Sequence, residues 1–425
     1  MSIFTDIQGR PLIAVTGIGI VTSLGEGKET NWARLTAGES GIHYIERFPT
    51  ESLNTKIGGT VEFLASEPND TETVTRALAF AAADEALAEC GLPADDFGGP
   101  LFLAAPPVEM EWPQRLALAG NRQIEKETTY KSLLEAARTM VPMAYYEATQ
   151  FSTIANTMAD RYGITGVPIT LSTACASGAT AIQLGVEAIR RGETKHALVV
   201  GADGSTTAEA LIRFSLLSAL STQNEHPQKA SRPFSKNRSG FVMAEGAAAL
   251  VLETLESASA RGAHIYGLIL GCGDKADDFH RTRTSPDGGP AIAAVRAALD
   301  DAGIDESGID YVNAHGTSTP ENDKMEYLAL STVFGEAIAN IPVSSNKSMI
   351  GHTLSASGAV EAVLSLLSLQ NGVLLPTINY DEPDPAIPLD VVPNFARKLE
   401  IKTVLSNSFG FGGQNTCLVL GRNPL

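Results

Sequence analysis

The sequence predicts an α/β fold made of two similar halves. Two observations carry that prediction: strand-like runs alternate with helix-like runs along the whole chain, and one motif returns at a fixed interval. Leu12-Ile-Ala-Val-Thr, His196-Ala-Leu-Val-Val, Ala248-Ala-Leu-Val-Leu and Ile309-Asp-Tyr-Val-Asn read as strands, and Thr73 to Cys90 and Pro290 to Ala302 as helices. Runs this apolar belong to sheets covered on both faces. The repeat pairs Cys175-Ala-Ser-Gly-Ala179 with Ser355-Ala-Ser-Gly-Ala359, 180 residues on. Each copy follows a strand and opens an apolar helix that ends at a glycine, Gly192 or Gly372. Equal length and matched context favour duplication over coincidence, with the two helices equivalent at the centre. Only the first copy carries a thiol.

Near the N-terminus, Gly17-Ile-Gly19-Ile-Val-Thr22 begins like a dinucleotide fingerprint but ends on Thr22. The third glycine, which permits close helix–strand packing, is missing. Gly27-Lys28 is followed by Glu29 where a phosphate loop needs Ser or Thr. Phe102 to Phe151 is the least legible stretch: Trp112, Tyr130, Tyr145 and Tyr146 stand among mixed charges, as expected of an insertion that covers a site or builds a subunit contact. Val167-Pro-Ile-Thr-Leu-Ser172 then reads as a short strand, and Ala179, Ile182, Val186 and Ile189 follow at helical spacing. Cys175 lies at the junction, where free backbone N–H groups and the helix dipole favour a thiolate. A buried core thiol is the alternative. Gly271 to Pro290, rich in Gly, Asp and Arg, is the best boundary region, so the expected organisation is residues 1–270 and 271–425, with a cap or insertion around 102–151.

In the second half, His315 stands in Asn313-Ala-His-Gly-Thr-Ser-Thr-Pro320, directly after a strand and among small residues. Lys347 and His352 stand in Ser344-Ser-Asn-Lys-Ser-Met-Ile-Gly-His-Thr353, between a strand and a helix. A lone histidine is usually a hydrogen-bonded core residue. Two histidines, a lysine and a cysteine, all at strand-to-helix turns, lie where such folds build their sites. Glu361 falls inside an apolar helix and is expected to be buried and paired, with Lys347 as its partner. Ser406-Asn-Ser-Phe-Gly-Phe-Gly-Gly413 is a glycine-rich loop after a strand, able to approach a ligand closely and to present N–H groups to an oxyanion. Its phenylalanines, Phe409 and Phe411, suit packing against an apolar substrate or gating it.

Composition narrows the function. The chain has 425 residues, 44% hydrophobic and 19% charged, as an ordinary globular protein has. A net charge of −18 opposes nonspecific nucleic-acid binding and means that an acidic partner needs a local basic patch. Four scattered cysteines with no CxxC pair fit reduced cytosolic thiols and argue against a disulfide framework or a zinc site. No signal peptide is read at the N-terminus. The least charged stretch, Ala362 to Tyr380, reads as a buried helix and a strand rather than a membrane span.

Taken in order, Val15-Thr-Gly-Ile-Gly, Thr173-Ala-Cys-Ala-Ser-Gly, Arg232-Pro-Phe, Gly240-Phe-Val, Asn313-Ala-His-Gly-Thr-Ser-Thr-Pro, Lys347, Gly351-His and Asn407-Ser-Phe-Gly-Phe-Gly-Gly resemble the β-ketoacyl-[acyl carrier protein] synthases of synthase I/II type, the elongating condensing enzymes of the thiolase-fold superfamily. The resemblance implies a duplicated, five-layered αβαβα fold and a cytoplasmic homodimer that works without cofactor or metal. It implies decarboxylative condensation of a malonyl-carrier thioester with an acyl-enzyme, giving 3-oxoacyl-[acyl carrier protein] in fatty-acid elongation. Cys175 would take the acyl chain, and the N–H groups of Cys175 and Phe411 would form the oxyanion hole. His315 and His352 would stabilise the enolate, with Lys347 and Glu361 ordering them. Phe409, Gly410, Phe411 and Gly412 would form the oxyanion loop and gate. Asp323 and Glu326 fit a structural role nearby. The loop Asp278 to Pro286 is about two residues longer than usual, and its Arg281 and Arg283 are expected to help dock an acidic carrier. Segment 102–151 departs from the family pattern, leaving chain length open. The alternatives are a synthase specialised for very long chains or a dedicated carrier protein, a non-catalytic chain-length-factor-like subunit, and a thiolase, which needs a second catalytic cysteine where only Cys417 is offered.

Overall fold

The computed structural model describes residues 3–64, 69–120, 134, 138 and 143–423. Strand β1 (Ile13–Thr22) is buried along its whole length. Helix α1 (Thr71–Cys90) follows, its first turn capped by the Asp70 carboxylate accepting from the Thr73 N–H and its end turned by Gly91 at φ 71°. Then come β2 (Leu101–Ala104), β3 (Ile169–Leu171), α2 (Ser177–Arg190), β4 (His196–Asp203), α3 (Ala208–Leu216) and β5 (Gly246–Thr254). The second half supplies β6 (Gly267–Ala276), α4 (Gly289–Ala302), β7 (Tyr311–Asn313), α5 (Pro320–Phe334), β8 (Val343–Ser344), α6 (Ser357–Asn371), β9 (Thr403–Phe409) and β10 (Gln414–Gly421).

These ten strands, with Gly25–Glu26 paired to β1, form one eleven-stranded sheet in the order β8-β7-β9-β10-β6-β1-β5-β4-β2-β3. The sequence repeat is a repeat of topology. From the centre outward each half runs first, fifth, fourth, second, third strand. The outer pairs are parallel in both halves (β2 with β3 and β4; β7 with β8 and β9), and the inner pairs are antiparallel. The halves join where Ile13, Ala14 and Val15 of β1 meet Ile269, Leu268 and Gly267 of β6. Because β6 runs across residues 270 and 271, we propose that the halves divide in the connection between β5 and β6.

Period-two alternation sorts side chains into three cores. Val199 and Val404 face a middle core with Ile182 and Val186 of α2 and Val360, Val363 and Leu364 of α6. Leu198 and Val200 face α1, and Leu405 and Val419 face α4 and α5. Helices α2 and α6 therefore sit between the half-sheets, with helices outside each: five layers. Their crossing is reciprocal. A Cβ on Gly178 would lie 2.5 Å from the Ala359 nitrogen, and one on Gly358 would lie 2.4 Å from the Ala179 nitrogen. The small residues of the repeated motif are what allow this approach.

Of the expected cap around 102–151, Tyr130 lies outside the described residues. Described parts include the helices Trp112–Gly120 and Met143–Ala148, with Trp112 and Tyr146 exposed. Among the described residues no helix is long and apolar enough to cross a membrane.

Candidate active site

Cys175 follows β3 and precedes the first residue of α2 by two positions. The residue before it, Ala174, has φ 49°, a left-handed conformation that costs a non-glycine residue about 1–2 kcal/mol. Leu354, 180 residues on and just before Ser355, has φ 44°. The duplicated elbow thus turns Cys175 and Ser355 toward one space between the halves, and both line a cavity of about 850 Å³.

His315, His352, Phe409, Gly410, Phe411 and Gly412 line the same cavity. The Cys175 sulfur and one ring nitrogen of each histidine lie within 4.8 Å of one another. The imidazoles meet edge-on, 5.3 Å between centroids. The loop carrying His315 is held by Glu326, whose carboxylate accepts from the backbone N–H groups of His315 (2.8 Å) and Gly316 (2.7 Å) and from the Asn407 amide (3.1 Å). Asp323 accepts from the N–H groups of Phe234 (2.8 Å) and Ser318 (3.2 Å). These two carboxylates brace the loop rather than face a substrate.

Hydrogen-bond geometry fixes both tautomers. The Leu354 backbone N–H donates to His352 Nδ1 at 3.2 Å, and the Ser357 hydroxyl lies 2.8 Å from the same nitrogen. His352 Nδ1 is therefore an acceptor and Nε2 carries the proton. The Lys347 ammonium, which can only donate, lies 3.4 Å from His315 Nδ1, so His315 also presents Nε2–H. A metal would need the Nε2 lone pairs that these protons occupy, so the Cys–His–His cluster is arranged as donors rather than ligands. Burial, with the neighbouring Lys347 charge, holds both histidines well below the usual value of 6.5, hence neutral.

Lys347 begins a short helix just after β8 and pairs with Glu361 on α6; both are buried. Burial pushes Glu361 up to about 7 against the pull of Lys347.

The thiol departs from the sequence expectation. Burial pushes Cys175 up to about 11, although N–H groups of Phe411 and of Cys175 itself, and the Lys347 charge, act in the opposite direction. The resting sulfur is a neutral thiol, because burial outweighs the helix terminus. Those same two N–H groups converge beside the sulfur, where a tetrahedral oxyanion would form. Gly410 allows this: a Cβ there would lie 3.0 Å from the Thr173 carbonyl oxygen and 3.3 Å from the Cys175 nitrogen. Phe411 packs on Phe214 of α3 at 6.4 Å, and Phe409 on His315 at 6.0 Å.

Arg283 lines the cavity, whereas Arg281 is exposed and its carbonyl accepts from the Gly412 N–H at 2.8 Å. Cys417 is buried in β10 within the outer core of the second half, away from the cavity, which removes the candidate second cysteine of a thiolase.

Sequence reading missed Ser357 and Asp203. Ser357 is the repeat partner of Ser177, whose hydroxyl accepts from the Thr173 N–H. Both serines stand inside the repeated motif, as the third residue of each copy. Asp203 ends β4, lines the cavity, and accepts from the Ser355 N–H at 3.0 Å; burial pushes its carboxyl up. It sits at a strand's C-terminal edge, the criterion that found His315.

Residues 11–258 match the model of the beta-ketoacyl synthase N-terminal domain, and residues 266–381 that of its C-terminal domain. The 3-oxoacyl-[acyl-carrier-protein] synthase 2 of Vibrio cholerae serotype O1 is 37% identical over 96% of this chain and 99% of its own length. The fold superposes on the ishigamide ketosynthase/chain length factor with TM-score 0.84, at 33% identity over 97% of this chain and 100% of that one. It superposes with TM-score 0.83, at 32% identity over 97% of this chain and 100% of that one, on a chain of the solved complex of a type II PKS acyl-carrier protein with its ketosynthase bound to the hexaketide. A repeated thiolase-type sheet, a thiol at a strained elbow and two histidine donors facing it agree with these likenesses: the chain belongs to the beta-ketoacyl synthase family.

Proposed function

We propose that the chain condenses a malonyl-carrier thioester with an acyl group held on Cys175, releasing carbon dioxide and 3-oxoacyl-[acyl carrier protein], in fatty-acid chain elongation. The observation that carries this reading is the convergence of the Cys175 sulfur and two histidine nitrogens within 4.8 Å in the wall of one cavity. The Cys175 sulfur attacks the acyl thioester, and the carrier's sulfur leaves with the thiol's proton. The N–H groups of Cys175 and Phe411 hold the oxygen of the tetrahedral intermediate. The malonyl thioester then loses carbon dioxide. Its enolate oxygen accepts from the Nε2–H groups of His315 and His352, and its carbon attacks the acyl carbonyl. Collapse returns the Cys175 sulfur, and one proton is taken up overall.

Neutral donors suit a carbanion, since they stabilise its charge without delivering a proton to carbon. The Lys347 ammonium, held by Glu361, keeps His315 in its donor tautomer. The presence of Cys175, His315 and His352 in one cavity favours a catalytic subunit over a chain-length-factor-like one.

An acidic carrier needs a cationic landing on a chain of charge −18. Arg281 and Arg283 stand exposed beside the cavity, and among the described residues neither has a carboxylate partner. Homodimer formation is supported by strand β3, which among the described residues pairs only with β2 and leaves Val167 and Ile169 exposed. A cytoplasmic setting is supported by four free cysteines.

Incubation with acyl- and malonyl-carrier protein should give 3-oxoacyl-carrier and carbon dioxide in equal amounts. Arg281→Glu with Arg283→Glu should raise the carrier KM, with kcat little changed and the effect largest at low salt. Absence of the 3-oxo product refutes the reaction, and an unchanged KM refutes the docking role.

A further inference from the structure

The cavity at Cys175 is mixed in character on both sides. The second half contributes mostly polar groups, among them Asp277, Thr284, Thr317, Thr319 and Asn322. In the first half Met110, Ala210, Phe214, Leu217 and Ala219 make up an apolar wall, while Asp203, Ser205 and Thr207 of the same half are polar. An acyl chain on Cys175 is driven to the apolar wall, away from water and from the polar side by which a carrier's thioester arm reaches the sulfur. That apolar arm runs between the segment after β2 and helix α3, both of which leave the same edge of the sheet as Cys175.

Three charged side chains lie across its outer end. Arg213 of α3 pairs with one Glu109 oxygen, and Arg115 Nη2 lies 3.1 Å from the other. Arg115 Nε also donates to the Met110 carbonyl at 2.5 Å. All three line the cavity, yet they are 55%, 49% and 31% exposed for Arg213, Glu109 and Arg115, whereas Cys175 is buried. They therefore mark where the arm meets solvent. The bridge is anchored on both sides. Glu111 accepts from the Thr71 N–H (2.7 Å) and hydroxyl (2.6 Å) at the start of α1, and Glu209 of α3 accepts from the Trp112 N–H.

We infer that the Arg213–Glu109 pair, braced by Arg115, closes the outer end of the acyl arm and sets the longest acyl chain that Cys175 accepts. This rests on the reading that Cys175 carries the acyl chain. Arg213 and Glu109 are then specificity-determining residues that touch no reacting atom.

The test uses one carrier protein loaded with saturated acyl chains of graded length and follows the rate of acyl transfer to Cys175 by mass spectrometry of the whole protein. Exposed ion pairs are weak, so Arg213→Ala is expected to raise the ratio of long-chain to short-chain rates by about fivefold. Glu109→Ala should do the same, and the double variant should add nothing, because the two act as one unit. Salt at about 1 M, where the screening length is about 3 Å, should move the unaltered enzyme in the same direction but not Arg213→Ala. Comparing lengths on one carrier cancels any effect of salt on docking. An unchanged length ratio, a loss uniform across lengths, or additive single variants would each overturn the inference. If no acyl chain reaches Cys175 in the unaltered enzyme, the functional reading beneath it fails instead.

Discussion

His352→Ala should cut condensation about 10²–10³-fold, the range found when one preorganised donor to a developing oxyanion is removed, while acyl transfer to Cys175 falls far less. The asymmetry follows from where the imidazole points. His352 Nδ1 is occupied by the Leu354 N–H and the Ser357 hydroxyl, while among the described residues Nε2 has no partner. A buried N–H left in that state is aimed at something that arrives with the substrate. The charge that forms on Cys175 acylation is served by backbone N–H groups of Cys175 and Phe411, which the substitution leaves in place. Release of free carrier protein from the acyl-carrier substrate and release of carbon dioxide from malonyl carrier, timed separately in single turnover, give the two half-reactions. Equal loss in both would contradict the division of labour.

Lys347→Met should cost about 3–5 kcal/mol of stability, the range for removing one partner of a buried ion pair. Glu361 is 1% exposed, and among the described residues its second carboxylate oxygen has no hydrogen-bond partner. Without Lys347 the carboxylate either stays charged in a poor medium or binds a proton. The pH dependence has a definite sign. The folded pKa of Glu361, already raised to about 7 by burial, rises further once Lys347 is gone. A carboxyl whose folded pKa exceeds its unfolded value of about 4.3 contributes stability below the unfolded pKa and loses it as pH rises through the folded one. The variant's deficit should therefore be larger at pH 8 than at pH 5 in urea unfolding. Lys347→Met with Glu361→Leu should recover most of the loss, since well-packed apolar replacements of buried pairs are often neutral. A deficit independent of pH, or a double variant no better than the single, would show that the pair is not what holds this layer together.

Much of the site could be read in the sequence because its chemistry sits at strand ends. His315 follows β7 directly, Lys347 follows β8, and Cys175 follows β3, so each is marked by the end of an apolar run. Glu361 was legible for a different reason: a single carboxylate in a helix apolar all round must find a partner. The repeat announced the paired central helices, and the crossing at Gly178 and Gly358 shows why its small residues recur. What escaped depends on distances across the fold. The state of the Cys175 thiol turns on burial, which local sequence does not report, and the helix terminus alone pointed the wrong way. Ser357 gains its role from the ring it faces. The ion triad at the end of the acyl arm joins residues about 100 positions apart in a stretch without periodicity. The division proposed between β5 and β6 differs from the expected boundary at residue 270 because β6 continues the apolar pattern on both sides of it.

The most direct test is to incubate the protein with an acyl carrier thioester alone and locate the acyl group by peptide mass spectrometry. A single adduct on the peptide holding Cys175, absent in Cys175→Ala along with all condensation, is the predicted result. An adduct on any other residue, with Cys175→Ala still forming the 3-oxoacyl product, would contradict the account.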